Sequence, residues 1–180
     1  MRITAGQGPA STPESVVSTA VLSIGSNLGD RLGYLQSAAD ALADYVPGPG
    51  ALSPVYETAP WGGVEQPAYL NAIVVVTGRR SPGQWLELAH ILEQAAGRTR
   101  EVHWGARTLD VDIVVVDDVR SDDLTLTLPH PHAHERAFVL LPWLDVDAEA
   151  SLPGHGRVAD LVSTMDTADV VRWGKLERSP

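Results

Sequence analysis

Two amphipathic helical stretches, each set between runs of strand-type residues, constrain this chain more than any other feature. The first run is Ala20-Val21-Leu22-Ser23-Ile24, closed by Gly25. Behind it Leu28, Leu32, Leu35, Ala39, Leu42 and Val46 recur at the spacing that lines one side of a helix. Asn27 is the expected N-cap, with Asp30 favourably placed in the first turn. Pro47-Gly48-Pro49-Gly50 stops that helix. Residues 51–57 suit a strand that Pro54 would confine to an edge or a bulge. Tyr69–Thr77 is rich in β-branched residues and reads as a central strand. A second helix opens on Ser81 as N-cap, with Pro82 at the first helical position and Gln84 completing a capping box. Its apolar stripe is Trp85, Leu88, Ala89, Leu92 and Ala96, and Gly97 ends it. Arg107–Val116 (RTLDVDIVVV) is the next strand.

The order strand–helix–strand–strand–helix–strand predicts an α+β fold with a ferredoxin-like βαββαβ core. Its sheet is mainly antiparallel, with helices on one face and loops free to occupy the other. Leu124–Leu128 suits a short strand, the run from Pro129 enters a short helix near Glu135, and Val158–Met165 suits a last helix. Residues 1–18, rich in Gly, Pro, Ser and Thr, are expected to be a flexible N-terminal extension, and residues 19–180 a single domain.

Charge and composition narrow the function. Thirteen Lys and Arg against 23 Asp and Glu leave the 180-residue chain at −10, which argues against a nucleic-acid binder. Twelve of those cations are arginines. The one lysine, Lys175, precedes Leu176, so the G-x-x-x-x-G-K-[ST] phosphate loop is missing and a lysine Schiff base is disfavoured. With no cysteine there is no disulfide, no Cys-type zinc site and no thiol nucleophile. No apolar run approaches the roughly 20 residues of a membrane span. Residues 1–15 lack the apolar stretch of a signal peptide, so a cytoplasmic address with no membrane partner is expected.

Asp110 and Asp112 are the sharpest chemical feature. Residues two apart on a strand point the same way, so both carboxylates project together from a run that continues Ile113-Val114-Val115-Val116. Two like charges there need a compensating cation, and magnesium with substrate phosphates supplies one. Alternatively the strand end is exposed, or the arginines of Arg98–Arg107 pair with the acids directly. That loop holds Arg98, Arg100 and Arg107 against Glu101, and Trp104 suits a mobile cover or stacking plate. His130, His132 and His134 invite a zinc reading, although Pro129 and Pro131 make the run extended; His130 with Arg136 could instead meet phosphate. Tyr69 and Asn71 share one side of their strand and, with Phe138, could form a pocket for a flat heterocycle or simply join the core.

Five blocks, taken in order, carry a family resemblance: LSIGSNLGDR at 22–31, SPVYETAPWG at 53–62, QPAYLNAIVVV at 66–76, WGARTLDVDIVVVDD at 104–118 and LTLPHPHAHERAFVLLP at 126–142. From about Ala20 to Leu144 the chain resembles the 6-hydroxymethyl-7,8-dihydropterin pyrophosphokinases of folate biosynthesis. The resemblance implies transfer of the terminal diphosphate of ATP to the pterin hydroxymethyl group, with release of AMP, by a monomer. It implies two Mg²⁺ ions on Asp110 and Asp112, and a pterin ring between Tyr69 and Phe138 with Asn71 on its edge. Thr58, Pro60 and Trp61 would line the same pocket. Arg107, Ile113, His130 and Arg136 would bind ATP, with Glu93 near the adenine side. Arg98 and Arg100 would sit on a loop closing over the phosphates, with Trp104 sealing the pterin. Pro131 and Ala59 depart from the commoner family pattern, which often has an aromatic and a proline there. A metal-dependent hydrolase using the histidine run, or a non-catalytic ferredoxin-like binding module, are the competing functions.

Overall fold

A computed structural model describes residues 17–46, 50–59, 66–97 and 107–177. Its elements begin with β1 (Val17–Ser26), α1 (Arg31–Tyr45), β2 (Gly50–Leu52), β3 (Pro54–Thr58), β4 (Tyr69–Arg79), α2 (Pro82–Ala95) and β5 (Asp110–Val116). Then come the hairpin β6 (Ser121–Asp123) and β7 (Leu126–Leu128), a 3₁₀ turn at Ala133–Glu135 and α3 (Ala137–Val146). The hairpin β8 (Ser151–Leu152) and β9 (Gly156–Arg157), α4 (Val158–Ser163) and β10 (Val170–Lys175) complete it.

The main sheet runs β10-β3-β4-β1-β5, every pairing antiparallel. Without β10 this is the ferredoxin-like order that the two helix–strand units predict. The break at Pro54 is a bulge: β2 and β3 both pair with β4, and Ser53 separates them. There the Ile73 N–H donates to Ser53 Oγ and the Ser53 N–H to the Ile73 carbonyl, at 2.8 and 2.9 Å, so the backbone groups of Ile73 keep partners beside the proline. β10 was not foreseen in the tail, and β1 begins at Val17, inside the stretch expected to be an extension. Ser18 belongs to the sheet because its hydroxyl accepts from buried Trp85 Nε1 and donates to the Arg80 carbonyl.

α1 and α2 each start where a side chain can take an orphan N–H. Ser81 and Gln84 form the expected capping box on α2, and Gly97 follows it at φ +69°. On α1 the cap is Asp30, which accepts from the Gly33 N–H at 3.0 Å, and not Asn27. Asn27 is wholly buried and committed elsewhere, and Leu28 lies outside the helix, 45% exposed.

Period two divides the sheet's residues between two layers. Leu22 and Ile24 of β1, Leu70, Ala72 and Val74 of β4, and Val111 and Ile113 of β5 join Leu35 and Leu42 of α1 and Trp85, Leu88 and Leu92 of α2 in one core. On the other face Val21, Ile73, Val114 and Val115 pack under Val139, Leu140 and Trp143 of α3 in a second core. A register shift opposite Val21/Leu22 makes Val114 an extra residue in β5, so that Val115 as well as Val114 faces α3.

Candidate active site

Past the end of α3 the open face turns polar. Cross-strand pairing puts Asn71 opposite Gly25 and Gly25 opposite Asp110, with Ser23 opposite Asp112 and Thr58 opposite Tyr69. One row therefore reads amide, glycine, carboxylate. A Cβ on Gly25 would stand 2.9 Å from Asn71 Oδ1, so only a missing side chain leaves the middle of that row hollow. The hollow is part of a cavity of about 340 Å³ lined by these residues with Gln66, Arg107, Arg136 and Phe138 and, at the 3₁₀ turn, His132 and Glu135.

The apolar half of the cavity can hold a flat ring. Tyr69 and Phe138 both line it. Asn71 Nδ2 donates to Thr58 Oγ1 at 2.9 Å, a buried bond that fixes the amide and turns Oδ1 toward the Gly25 hollow. A ligand edge bearing N–H donors is thereby favoured over one bearing only acceptors.

The other half is charged. Asp110 and Asp112 both line the cavity, as their spacing requires, with side chains 23% and 36% exposed. Arg107 pairs with Asp110 at 2.6 Å, so the direct pairing open to the 98–107 arginines holds for that one, whereas Asp112 pairs at 3.0 Å with Arg136, from outside that loop. Burial works against the Arg107 charge, but Asp110 outweighs it and holds the guanidinium above its ordinary pKa. Arg136 also lies over the Phe138 ring, 5.7 Å from its centre, joining the charged half to the aromatic one. Such half-exposed pairs are worth about 1 kcal/mol or less and can be exchanged for other partners.

His130 stands behind Asp112, its Nε2 3.7 Å from Oδ2. The His132 backbone N–H donates to His130 Nδ1 at 3.2 Å, which leaves Nε2 to carry the proton. Burial pushes the His130 pKa below its ordinary value, aided by Arg136 and opposed by Asp112, so the ring is neutral near pH 7. The histidine run does not converge on a metal. His132 turns to Glu135, while His134 stacks on His155 with centroids 4.1 Å apart and planes at 15°. Among the described residues no group of three or more His, Asp or Glu is arranged to hold an ion. Two carboxylates on one strand face are instead hard oxygen donors with coordination left over for phosphate, a set that fits Mg²⁺.

Three residues assigned to ATP by resemblance do not line the cavity, His130 behind Asp112 among them. Ile113 is in the helix-side core, and Glu93, 5% exposed on α2, accepts from the Val111 N–H at 3.0 Å. Pro60, Trp61, Arg98, Arg100 and Trp104 lie outside the described residues, as do Glu101 and His103. Asn27, misread as a cap, ties together the ends of the segments that hold them. Its Oδ1 accepts from the Arg107 N–H at 2.7 Å, and its Nδ2 donates to Gln66 Oε1 at 3.0 Å and the Pro67 carbonyl at 3.4 Å. Neither partner is near in sequence, so no local pattern could have revealed the role.

An antiparallel sheet with α1 and α2 on one face, and α3 beside an acid pair and a ring-sized hollow on the other, defines a ferredoxin-like fold with a divided polar pocket. The chain belongs to the 7,8-dihydro-6-hydroxymethylpterin-pyrophosphokinase (HPPK) family, which it matches over residues 21–148. It is 51% identical over 148 residues to the 2-amino-4-hydroxy-6-hydroxymethyldihydropteridine pyrophosphokinase of Mycobacterium leprae, covering 76% of each chain. Identity to the Mycobacterium tuberculosis protein of that name is 46% over 162 residues, 83% of this chain and 85% of that one. The Bacillus subtilis protein is 38% identical over 128 residues, 71% of this chain and 77% of the other. Among solved structures, Plasmodium falciparum HPPK-DHPS A437G with pteroate superimposes at a TM-score of 0.65 and 15% identity. That match takes in 84% of this chain but spans only 44% of the longer Plasmodium chain, and it establishes the fold.

Proposed function

We propose that this chain moves the terminal diphosphate of ATP onto the hydroxymethyl group of 6-hydroxymethyl-7,8-dihydropterin, releasing AMP. The observation that carries the reading is the division of one cavity into an aromatic, amide-edged half and a half where Asp110 and Asp112 lie beside Arg107 and Arg136.

Tyr69 and Phe138 hold the pterin ring, and Asn71 and Thr58 accept from its donor edge. The hydroxymethyl carbon then lies toward Gly25 and the acid pair. Arg107 and Arg136 orient the polyphosphate and neutralise charge that spreads over the transferring phosphoryls. Neutral His130 donates through Nε2 to a phosphate oxygen in place of Asp112. Asp110 and Asp112 would hold two Mg²⁺ ions, which when bound neutralise phosphate oxygens and lower the pKa of the attacking hydroxyl. The nucleophile is an alcohol and the target the β-phosphorus, so alignment supplies most of the rate and no side chain need act as a strong base. Pro60, Trp61 and Trp104 are assigned to the pterin and Arg98 and Arg100 to the closing phosphate loop, on family resemblance. A monomer is proposed on family resemblance. Among the described residues no helix is long and apolar enough to cross a membrane, in keeping with a cytoplasmic enzyme.

The test is AMP release from ATP and Mg²⁺ with and without the pterin. AMP and pterin diphosphate should form in equal amounts, and only with both substrates present. Release of ADP, or of AMP at the same rate without pterin, would overturn the assignment.

A further inference from the structure

Among the described residues β5 is the edge strand of the sheet, paired with β1 alone, so there its outward N–H groups lack a ladder partner. The one at Val111, between the two acids, donates to the buried Glu93 carboxylate of α2 at 3.0 Å. A carboxylate on the buried side of an amphipathic helix is costly to desolvate, and packing alone would be met by an apolar residue of that size. Its hydrogen bond to a backbone amide is charge-assisted and about twice as strong as a neutral one. The Val111 side chain lies in the helix-side core, while those of Asp110 and Asp112 point to the cavity.

From this we infer that Glu93 is a positioning residue for the acid pair. Acting through the Val111 amide, it pins the edge backbone from the helix side and sets the direction in which both acids leave the strand. It thereby tunes their affinity for a divalent cation. The inference rests on the proposed cation role of Asp110 and Asp112. An outer support of this kind is worth roughly 10- to 100-fold in metal affinity.

The test compares Glu93→Met, which keeps size, with Glu93→Gln, which keeps the acceptor oxygen. Mn²⁺ binding in the presence of a nonhydrolysable ATP analogue is followed by electron paramagnetic resonance. Glu93→Met should bind Mn²⁺ at least tenfold more weakly and exchange its Val111 amide proton faster, with pterin KM and the preference for ATP over GTP unchanged. Glu93→Gln should stay within about threefold of the parent on every measure, and it remains the readout if Glu93→Met does not fold. A fall in ATP-over-GTP preference would make Glu93 an adenine contact and overturn the inference. So would equal Mn²⁺ loss in Glu93→Gln, or parent-like Mn²⁺ binding in Glu93→Met while Asp112→Ala loses it. Parent-like binding in Asp112→Ala as well would instead remove the cation reading beneath it.

Discussion

The two faces of one sheet are built from the same strands by different rules. Toward α1 and α2, Leu22 and Ile24 on β1 are 1% and 0% exposed and belong to the apolar core. One residue along in each case, Ser23 and Gly25 line a polar cavity. The helix side is closed by two long helices and tolerates no gap. On the opposite side α3, with α4 beside it, covers the Val21–Ile73–Val114 end, and among the described residues the Gly25–Asp110 end is left open. Stability and chemistry can therefore be altered separately by substitutions a single residue apart.

The largest effect should come from Asp110→Ala. Loss of one carboxylate is expected to lower kcat/KM on the order of 10³-fold, since several kcal/mol of charge stabilisation depend on it. Its thermal midpoint should move by only a few degrees, because the Arg107 pair is partly exposed. Near-normal turnover would make the acids structural and erase the contrast between faces. Leu22→Ala tests the helix side and should cost about 2–5 kcal/mol in urea unfolding. Its kcat below the melting range should stay unchanged; a parallel fall in kcat would show that the layers are not separable. Gly25→Ala should raise pterin KM about tenfold, or ~1.4 kcal/mol, by pushing Asn71 off Thr58. Unfolding midpoint and ATP KM serve as its controls, both expected to hold. The smallest effect is with pH. His130 has a folded pKa below its ordinary 6.5, so the unfolded chain binds the extra proton first, and stability declines as pH falls below 6.5. His155 adds in the same direction, its pKa lowered by burial, His134 and Arg120. Urea midpoints at pH 7.5 and 5.5 should differ in that sense, and less in His130→Asn.

What could be read from the sequence follows the range of the interactions involved. The capping box at Ser81–Gln84, the stripe from Trp85 to Leu92 and the shared direction of Asp110 and Asp112 all depend on neighbours within four residues, and all are present. Pro54 announced its own bulge. Asn27 was misassigned because a capping residue and a buried amide have the same composition, and only the approach of Arg107 and Gln66 distinguishes them. Family likeness assigns Glu93 to the adenine side, and only the fold shows that its carboxylate also accepts from the Val111 N–H. β10 escaped notice because VVRWGK joins the sheet through β3, over a hundred residues earlier, with Arg172 reaching Asp145 and Tyr56 donating to the same carboxylate. The division of the cavity into a ring-binding and a charged half came from adding strand alternation to registers that no single strand contains.

The arginine–aspartate pairs have a consequence for recognition. With Asp110 and Asp112 each already matched by a guanidinium, these four side chains are together electroneutral although the chain as a whole is at −10. An incoming metal-bound triphosphate, which brings both signs of charge, can trade partners with those pairs rather than insert itself among unbalanced ones. A free triphosphate or a free cation could satisfy only one side of the trade, so the pocket favours arrival of the two together.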